Sequence, residues 1–243
     1  MAQERSAHYD EQIPTGDLGQ AYALEHSVLL PFHREAARQR QSSVYKGIKR
    51  AFDVVSSACL FLIVWPLFFL IALAIKIDSK GPIIYRHKRV GMLGKSIYLY
   101  KFRSMVADAD AMIKQFTPEQ RSRFDANFKL DDDPRITRIG RLLRKSSLDE
   151  LPQLLNILKG ELSVVGPRPV VEAELIKYGE NADKFLSVKP GLTGYWQAYA
   201  RSDCDYDTRM EMELKYAREA NLWWDIRILF ATVVAVFCGK GAQ

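Results

Sequence analysis

The sequence predicts a predominantly helical α+β fold that is attached to a membrane. The first observation is an uncharged apolar run over residues 54–75, which is long enough to cross a bilayer as a helix. The second is that short β-type runs after residue 80 alternate with longer stretches of helical apolar spacing. The third is a charge balance of 35 Lys and Arg against 29 Asp and Glu. This mild positive excess suits an anionic membrane surface or phosphorylated ligands.

The composition along the chain divides it into three regions. Residues 1–43 are polar and have no core pattern, so we predict a mobile or partner-dependent segment; their start is too charged for a signal peptide. Residues 44–80 form the membrane element, and residues 81–243 form the main domain. The three cysteines and four histidines show neither disulfide nor metal-ligand spacing, which fits a reducing compartment. No nucleic-acid-binding signature is present, so we expect no nucleic acid partner.

The membrane element has a proline in the middle of its apolar run. Pro66, after Trp65, removes a helical hydrogen bond and favours a kink or break. Both flanks are basic, which by the positive-inside rule places both ends in the cytoplasm; these residues are Lys46, Lys49 and Arg50 before the run and Lys76, Lys80, Arg86, Lys88 and Arg89 after it. A re-entrant helix broken at Pro66 satisfies both observations. A proline-kinked spanning helix is the alternative.

Residues 83–85 and 97–102 predict a β-hairpin around a turn that contains Gly91 and Gly94. The hairpin is basic, and for most of its cations a solvated, membrane-facing surface is the plain interpretation. A helix over residues 107–128, broken between Thr117 and Pro118, comes after it. The acidic run at residues 131–133 precedes a proline and predicts a loop or cap more strongly than a metal site.

Residues 144–169 are the centre of the chain's predicted chemistry. Ser147 and Glu150 match a capping box, and Pro152 is tolerated in a first helical turn, so a helix is predicted to begin close to Asp149. Gly160 predicts its C-terminal end. The predicted buried stripe consists of Leu151, Leu154, Leu155 and Leu158.

This placement puts two carboxylates, Asp149 and Glu150, at the positive end of a helix, with Arg144 and Lys145 just upstream. A helix N-terminus favours an ionised carboxylate and attracts phosphate groups. A carboxylate in that setting could attack a phosphoryl centre and form an acyl phosphate. The alternative is that Glu150 only caps the helix and Asp149 only interacts with its dipole.

Residues 162–165 predict a buried strand that leads into Gly-Pro-Arg-Pro at residues 166–169. Pro167 and Pro169 fix the backbone around Arg168, so its guanidinium could bind phosphate in a set direction; a structural arginine is the alternative. We predict a helix over residues 170–187. Residues 189–194, with Gly191 and Thr193, predict a loop that could close over a ligand.

Gln197 comes directly after Tyr195 and Trp196, and the three offer stacking and hydrogen-bonding surfaces for a base or sugar; plain core aromatics are the alternative. Residues 207–220 predict a charged helix. Residues 222–237 are apolar on most sides and begin with Trp223 and Trp224, which is typical of an interfacial helix in the headgroup plane.

Several of these motifs together resemble the bacterial sugar transferase family, the monotopic phosphoglycosyl transferases. The similar segments are Ser-Leu-Asp-Glu-Leu-Pro-Gln-Leu at residues 147–154, Gly-Pro-Arg-Pro at 166–169, residues 86–105 and residues 189–194. The similarity covers about residues 47–237. It implies a monotopic membrane protein with a re-entrant helix broken at Pro66 and interfacial amphipathic helices, located on the cytoplasmic face of the bacterial inner membrane.

The resemblance also implies a reaction. A UDP-hexose, with galactose or glucose favoured, would give its sugar 1-phosphate to polyprenyl (undecaprenyl) phosphate and release UMP, as the first membrane step of exopolysaccharide synthesis. By analogy Asp149 is the nucleophile and forms a covalent sugar-phosphate ester. Glu150 would assist by proton handling or by helping Asp149 to hold Mg²⁺, which is expected because the charge of a diphosphate needs neutralising.

The same resemblance places Lys101 and Arg103 near the active site, where they are candidate contacts of the substrate phosphates. Arg144, Lys145 and Arg168 are candidates for the same role from their own positions in the sequence. Membrane lipids are expected partners. The sequence leaves the oligomeric state open, and a homo-oligomer is one of the alternatives. Where the family commonly has an Asp three residues before a Tyr, this chain has Glu213, to which we assign no role. The rival interpretations are a non-catalytic membrane-surface adaptor and a one-step transferase without a covalent intermediate.

Overall fold

The computed structural model describes residues 42–127, 130, 132–200 and 204–237. The predicted N-terminal segment is outside the described residues except for its last two positions. Asp131 of the acidic run, Phe128 of the predicted helix and Cys238 are outside them as well.

The first described element is one long helix, α1, which runs over Ser43–Asp78. Its 36 residues correspond to roughly 54 Å at the usual helical rise. It continues through Pro66, so no second helix starts at the predicted break. Within the described chain α1 is the one helix long and apolar enough, by length and composition, to cross a membrane.

The two faces of α1 differ in their surroundings. Asp53, Ser57, Ile71 and Ile75 are buried against the rest of the protein at helical spacing. Between them, half-buried apolar side chains pack on the core clusters; they are Phe61, Val64, Leu67 and Phe68. The opposite face exposes large apolar side chains: Leu62, Ile63, Trp65, Phe69, Leu70, Leu73 and Ile77. One side of α1 therefore contacts the domain along most of its length, and the other side is apolar and exposed.

The predicted hairpin is confirmed. Strand β1 (Ile84–Val90) pairs antiparallel with β2 (Ser96–Phe102), and the turn contains a 3₁₀ segment over Met92–Gly94. Residues that face each other across this pair share one side of the sheet. The side with the buried Ile97 and Leu99 also carries Arg89 and Lys101, so these two cations point toward the interior.

The predicted helix after the hairpin is divided. Helix α2 covers Ala109–Met112, a 3₁₀ turn covers Ile113–Gln115, and α3 covers Pro118–Asn127, so the break before Pro118 is present. The Asp133 carboxylate is buried and accepts two hydrogen bonds from the Arg135 guanidinium, at 2.8 Å from Nε and 2.7 Å from Nη2. That carboxylate is therefore occupied by a structural ion pair.

The capping box is wrong. Helix α4 (Arg138–Lys145) ends just before Ser147, which adopts left-handed φ of 57° and makes no capping bond with its side chain. Leu148–Glu150 forms a 3₁₀ turn, and helix α5 begins only at Gln153 and runs to Lys159. Gly160, with φ of 82°, ends α5 as predicted. The cap fails because α5 starts too late for the Ser147 hydroxyl to reach its free N–H groups.

The predicted apolar stripe of α5 is correct only in part. Leu154 is 2% exposed, but Leu155 is 38% exposed, whereas Asn156 is fully buried. Asn156 takes the inward position because its amide bonds to the β2 backbone. Tyr100 N–H donates to Asn156 Oδ1 at 3.0 Å, and Asn156 Nδ2 donates to the Tyr98 carbonyl at 2.7 Å.

A second sheet replaces the loop that we predicted over a ligand. Strand β3 (Ser163–Val165) pairs parallel with β4 (Gly191–Thr193), and both are largely buried. The strands approach so closely that a Cβ on Gly191 would come within 2.1 Å of the Gly166 nitrogen. Residues 191–193 of the predicted loop therefore form an interior strand, because the parallel pairing takes up hydrogen-bonding groups of their backbone.

The remaining helices complete the domain. The single helix predicted over residues 170–187 is divided at Gly179, which has φ of 48°. The described helices after β3 are α6 (Glu172–Leu175), α7 (Ala182–Phe185), α8 (Tyr195–Tyr199), α9 (Tyr206–Glu219) and α10 (Leu222–Phe237), with a 3₁₀ segment over Ile176–Asn181.

Helix α10 has the predicted extent but not both predicted surface tryptophans. Trp223 is 60% exposed, in line with Ile226 and Phe230. Trp224 packs edge-to-face on Tyr195 at 4.8 Å between ring centroids. We therefore correct the role of Trp224 to packing against the domain, and Trp223 is the tryptophan that faces outward.

Candidate active site

Two adjacent carboxylates occupy the 3₁₀ turn between α4 and α5. Asp149 is 8% exposed, and the Glu150 side chain is 37% exposed. Lys101, on the inward side of β2, donates to Glu150 Oε1 at 2.6 Å. The hairpin thus brings a cation from 49 positions earlier in the chain to the pair.

Burial raises the pKa of Asp149 to about 6. The positive charge of Lys101 acts against this, the negative charge of Glu150 adds to it, and Arg144 lowers it again. The sequence predicted a carboxylate held ionised by a helix N-terminus, so the direction of the shift is a correction. Its reason is that desolvation of a nearly buried carboxylate outweighs the dipole of a helix that starts four residues later.

Glu150 behaves in the opposite way. Burial by itself would raise its pKa, but the charge and hydrogen bond of Lys101, with Arg168 and Arg89 behind it, lower the pKa below its usual value. The two neighbours therefore differ in proton affinity. Such a divided pair is typical of sites where two carboxyl groups take different chemical roles.

A cluster of cations surrounds the carboxylates. Arg144 donates from Nε to Ser104 Oγ at 2.9 Å, and Arg168 lies over the Trp196 ring at 5.8 Å. Within the described chain, Arg168 forms no ion pair with a carboxylate. Burial, followed by the charges of Arg89, Lys101 and Arg168, lowers the pKa of His87 to about 3. The imidazole is therefore neutral in a region of positive potential suited to phosphate groups.

Sequence reasoning missed the buried network behind these cations. Glu213, which is 2% exposed, accepts hydrogen bonds from Tyr178 Oη, from Arg209 Nε at 3.4 Å and from the Arg168 backbone N–H at 3.4 Å. Glu174 binds Arg89 Nη1 at 3.2 Å and Arg209 Nη2 at 3.4 Å. The one signal in the sequence was the unassigned Glu213. Local periodicity could not reveal that α6 and α9 meet β1 here.

One of the predicted phosphate contacts lies elsewhere, and another is exposed to solvent. Arg103 is buried and donates from Nη2 to the Ser79 carbonyl at 2.7 Å and to Ser79 Oγ at 2.9 Å, so it caps the end of α1. We reassign it as a structural residue. Lys145 is exposed at the end of α4, beyond Arg144.

The predicted nucleotide-sugar loop residues act mainly as supports. The Pro167 carbonyl accepts from the Gly191 N–H at 2.8 Å, and Pro169 is buried beside it. Thr193 Oγ1 is bonded to Thr232 Oγ1 on α10 at 2.8 Å. Gln197 Nε2 donates to the Leu192 carbonyl at 3.4 Å. These contacts hold the loop that carries Arg168.

The carboxylate pair fits one mode of magnesium binding. The described residues contain no cluster of three or more His, Cys, Asp or Glu that could hold a metal ion. Mg²⁺, however, is usually bound by one or two carboxylates with substrate phosphates and water as its other ligands. Asp149 and Glu150 supply those two carboxylates.

Comparison of the sequence with known proteins identifies a matching family and several similar proteins. The family model described as "Bacterial sugar transferase" matches residues 44–239. The chain is 42% identical over 233 residues to an undecaprenyl-phosphate galactose phosphotransferase of Salmonella typhimurium, covering 95% of this chain and 48% of that protein. It is 44% identical over 197 residues to the exopolysaccharide production protein ExoY of Rhizobium meliloti, covering 80% of this chain and 87% of that protein.

A third relative is the UDP-glucose:undecaprenyl-phosphate glucose-1-phosphate transferase of Escherichia coli. It is 40% identical over 210 residues, covering 83% of this chain and 42% of that protein. The chain thus spans about half the length of several of the curated relatives that it matches.

Proposed function

The chain belongs to the bacterial sugar transferase family, and from that premise we propose that it moves a hexose 1-phosphate from a UDP-sugar to a polyprenyl phosphate and releases UMP. One observation carries this proposal: Asp149 is a nearly buried carboxylate beside Lys101 and Arg144, next to a second carboxylate, Glu150, whose pKa is lowered by Lys101 and Arg168. The names of the relatives, which specify undecaprenyl phosphate with galactose or glucose, support the substrate class.

Asp149 is the nucleophile in this proposal. With a pKa of about 6 it is mostly ionised at neutral pH. A carboxylate oxygen attacks the β-phosphorus of the UDP-sugar, and the bond from that phosphorus to the oxygen bridging to the α-phosphate breaks. UMP leaves with the electron pair, and the sugar phosphate stays on Asp149. An oxygen of the polyprenyl phosphate then attacks the same phosphorus, which frees Asp149 and forms the polyprenyl-diphospho-sugar.

The surrounding side chains bind and orient the phosphates. Glu150 holds the Lys101 ammonium at 2.6 Å, next to Asp149, where it can offset charge on the transferred phosphate. Arg168 and Arg144 offer guanidinium groups suited to phosphate oxygens. Mg²⁺, held by Asp149 and Glu150 with the substrate phosphates, would supply neutralisation of the diphosphate charge.

The membrane topology in this proposal is re-entrant, with the domain on the cytoplasmic face of the bacterial inner membrane. Contacts from α1 to the domain begin at Tyr45, whose hydroxyl donates to Asp225 at 2.9 Å, and end at Asp78, which accepts from the Ile139 N–H at 3.1 Å. A straight spanning helix with these contacts would carry the charged domain into the bilayer. In the re-entrant arrangement, the exposed apolar face around Pro66 is the part of α1 that dips into the bilayer, and both ends of the helix stay on one side. This arrangement avoids that cost.

The proposal is tested by measuring UMP release with UDP-galactose, UDP-glucose and Mg²⁺ in the absence of lipid acceptor, together with the intact mass of the protein. We expect one equivalent of UMP and a hexose-phosphate adduct in the wild type. Asp149→Asn should abolish both, because an amide is a poor nucleophile, and should retain the fold. The matched control is Asp110→Asn, which changes an exposed carboxylate on α2 and should leave the burst unchanged.

The other interpretations give different results in the same experiment. Turnover that needs polyprenyl phosphate, without a burst or an adduct, indicates direct one-step transfer and contradicts the aspartyl intermediate. Membrane binding without UMP under either condition indicates an adaptor and contradicts the transferase. Loss of the burst in Asp110→Asn as well would mean that it does not report on Asp149.

A further inference from the structure

Strand β3 is held by a charged side chain from α1. The Asp53 carboxylate is 2% exposed, and its Oδ1 accepts two hydrogen bonds from consecutive residues of β3. Ser163 Oγ donates at 3.0 Å and the Val164 N–H donates at 2.9 Å. Apolar contacts alone would pack a helix on a strand, but these two bonds also specify which residue of β3 lies opposite Asp53.

Lys49, one turn before Asp53, holds the next residue of the same strand. Its ammonium donates to the Val165 carbonyl at 2.9 Å and to Asp225 Oδ2 at 2.8 Å. It is also 3.3 Å from the Tyr216 hydroxyl. Lys49 and Asp53 therefore bond to three successive residues of β3.

Asp225, on α10, binds the Lys49 side chain and so connects α1 to α10. The carboxylate is 5% exposed and accepts from Lys49, from Tyr45 Oη at 2.9 Å and from Tyr216 Oη at 2.6 Å. These four residues (Tyr45, Lys49, Tyr216 and Asp225) thus form a junction that joins α1, α9 and α10 next to β3. Both α1 and α10 expose apolar faces on their other sides, so the junction lies between the two helices with membrane-facing character.

The segment after β3 gives this junction a functional meaning. The strand has only three residues, and it continues directly into Gly-Pro-Arg-Pro at residues 166–169. The two prolines restrict φ on either side of Arg168, so a shift of Val165 is passed on to Arg168 and is not absorbed by the loop. Burying an ion pair is seldom the most favourable way to stabilise a core, which makes a geometric role the better account of Lys49 and Asp225.

We propose that Lys49, Asp53 and Asp225 are positioning residues that set the place of Arg168 from the membrane helices. The role of Arg168 toward substrate phosphate rests on the proposed function, whereas the mechanical link from Lys49 to the loop does not. Insertion of α1 and α10 into the membrane and completion of the phosphate site are thereby coupled through one buried junction.

The kinetic test uses Lys49→Met, which removes the bond to the Val165 carbonyl and the ion pair together. We expect KM for the UDP-sugar to rise about tenfold, with a smaller change in kcat. Tenfold is the effect of losing one charge-assisted hydrogen bond, here the one from a displaced Arg168 to a substrate phosphate. Lys49→Arg, which keeps a cation and its donors, should recover most of the loss. The control is Lys46→Met on the exposed side of the same helix, which should keep the wild-type KM.

Hydrogen exchange measures the link without any substrate. The Gly166 N–H donates to the Thr193 carbonyl at 2.8 Å, and the Arg168 N–H donates to Glu213. In Lys49→Met both amides should exchange faster, while amides of β2 keep their wild-type rates. Asp53→Asn, which keeps the side-chain shape, serves if Lys49→Met does not fold, and the same local increase is expected with a smaller rise in KM.

The outcomes separate this inference from the proposed function. If the wild type releases no UMP but the loop amides still respond locally, the proposed function fails and the mechanical link stands. Wild-type KM and wild-type exchange at Gly166 and Arg168 in an active variant would overturn the inference. A uniform rise in exchange over the whole protein with an unchanged KM would overturn it too, because that pattern describes stabilisation without positioning.

Discussion

At the residue scale, burial and charge act in opposite directions on neighbouring groups of the site. The pKa of Asp149 is raised to about 6 because burial dominates. At Glu150 the effect of Lys101 outweighs that of burial, and the pKa is lowered. The pKa of His87, on β1, is lowered because burial and the charges of three nearby cations act in the same direction. The chemical role of each group thus depends on which partners the fold places beside it.

Arg89 provides a first prediction at this scale. Its guanidinium points inward, is bound to Glu174 at 3.2 Å and contributes to the field at Glu150. We expect Arg89→Met to raise KM for the UDP-sugar by about tenfold, because a buried cation beside the phosphate site is lost. Arg86, on the opposite side of the same strand and exposed, is the matched control, and Arg86→Met should change KM by less than about twofold. Equal effects of the two substitutions would contradict the assigned orientation.

His87 predicts a pH dependence of stability. Its pKa is lowered to about 3 in the folded protein, against 6.5 in the unfolded chain, so the unfolded state binds more protons between these values. The stabilisation is present above pH 6.5 and is lost as the pH falls toward 3, with a slope of up to about 1.4 kcal/mol per pH unit. Equilibrium unfolding of the wild type and of His87→Gln at pH 7.5, 6.5 and 5.5 measures the difference. A parallel pH dependence in the two proteins would show that His87 is not the source.

At the element scale, α5 shows how tertiary contacts select the buried face of a helix. The apolar pattern predicted that Leu155 would be inside, but the inward position belongs to Asn156, whose amide satisfies the backbone of β2. An edge strand beside a helix presents free N–H and C=O groups, and an amide can satisfy one of each. The hydrogen-bond requirement of β2 therefore outweighs the apolar preference of this face.

This buried amide leads to a prediction about stability. Asn156→Ala should lower the free energy of unfolding by about 1–3 kcal/mol, because the Tyr100 N–H and the Tyr98 carbonyl lose their partners in a partly buried place. Leu155→Ala, the neighbouring change, should lower it by less than about 1 kcal/mol, since Leu155 is 38% exposed. Denaturant unfolding in matched detergent measures both. A larger loss for Leu155→Ala would restore the stripe predicted from the sequence.

At the scale of the whole molecule, the contacts of α1 relate membrane insertion to the site. Apolar packing from Phe61 to Ile75 and polar contacts at its two ends bind it to one domain. A helix of roughly 54 Å exceeds the hydrocarbon thickness of about 30 Å, and its exposed apolar face is the part that can contact lipid. The proposed re-entrant topology, with the domain and both ends of α1 on one side of the membrane, is compatible with these contacts.

Labelling of single cysteines tests that topology. In a background with the three native cysteines replaced by serine, Lys46→Cys and Lys80→Cys place one thiol at each end of α1. We expect an impermeant maleimide to label both in inside-out membrane vesicles and neither in right-side-out vesicles, because the proposed topology places both ends of α1 on the cytoplasmic face. Labelling of the two positions from opposite sides would establish a spanning helix and contradict the re-entrant proposal.

Features that depend on local chemistry could be predicted before the fold was known. The apolar run of α1, the basic hairpin, the end of α5 at Gly160 and the helix from Tyr206 result from spacing and from residues with restricted backbones. The motifs around Asp149 and Arg168 were also visible, because several of them occur in a family-specific order.

The other features depend on contacts between distant segments of the chain. The failed cap at Ser147, the interior strand at residues 191–193, the inward Asn156 and the structural role of Arg103 depend on partners far away in the chain. The same is true of the Glu174–Arg209–Glu213 network and of the Lys49–Asp225 junction. Local propensity contains no information about such partners, since hydrogen bonds and burial between distant segments are formed only when the chain has folded.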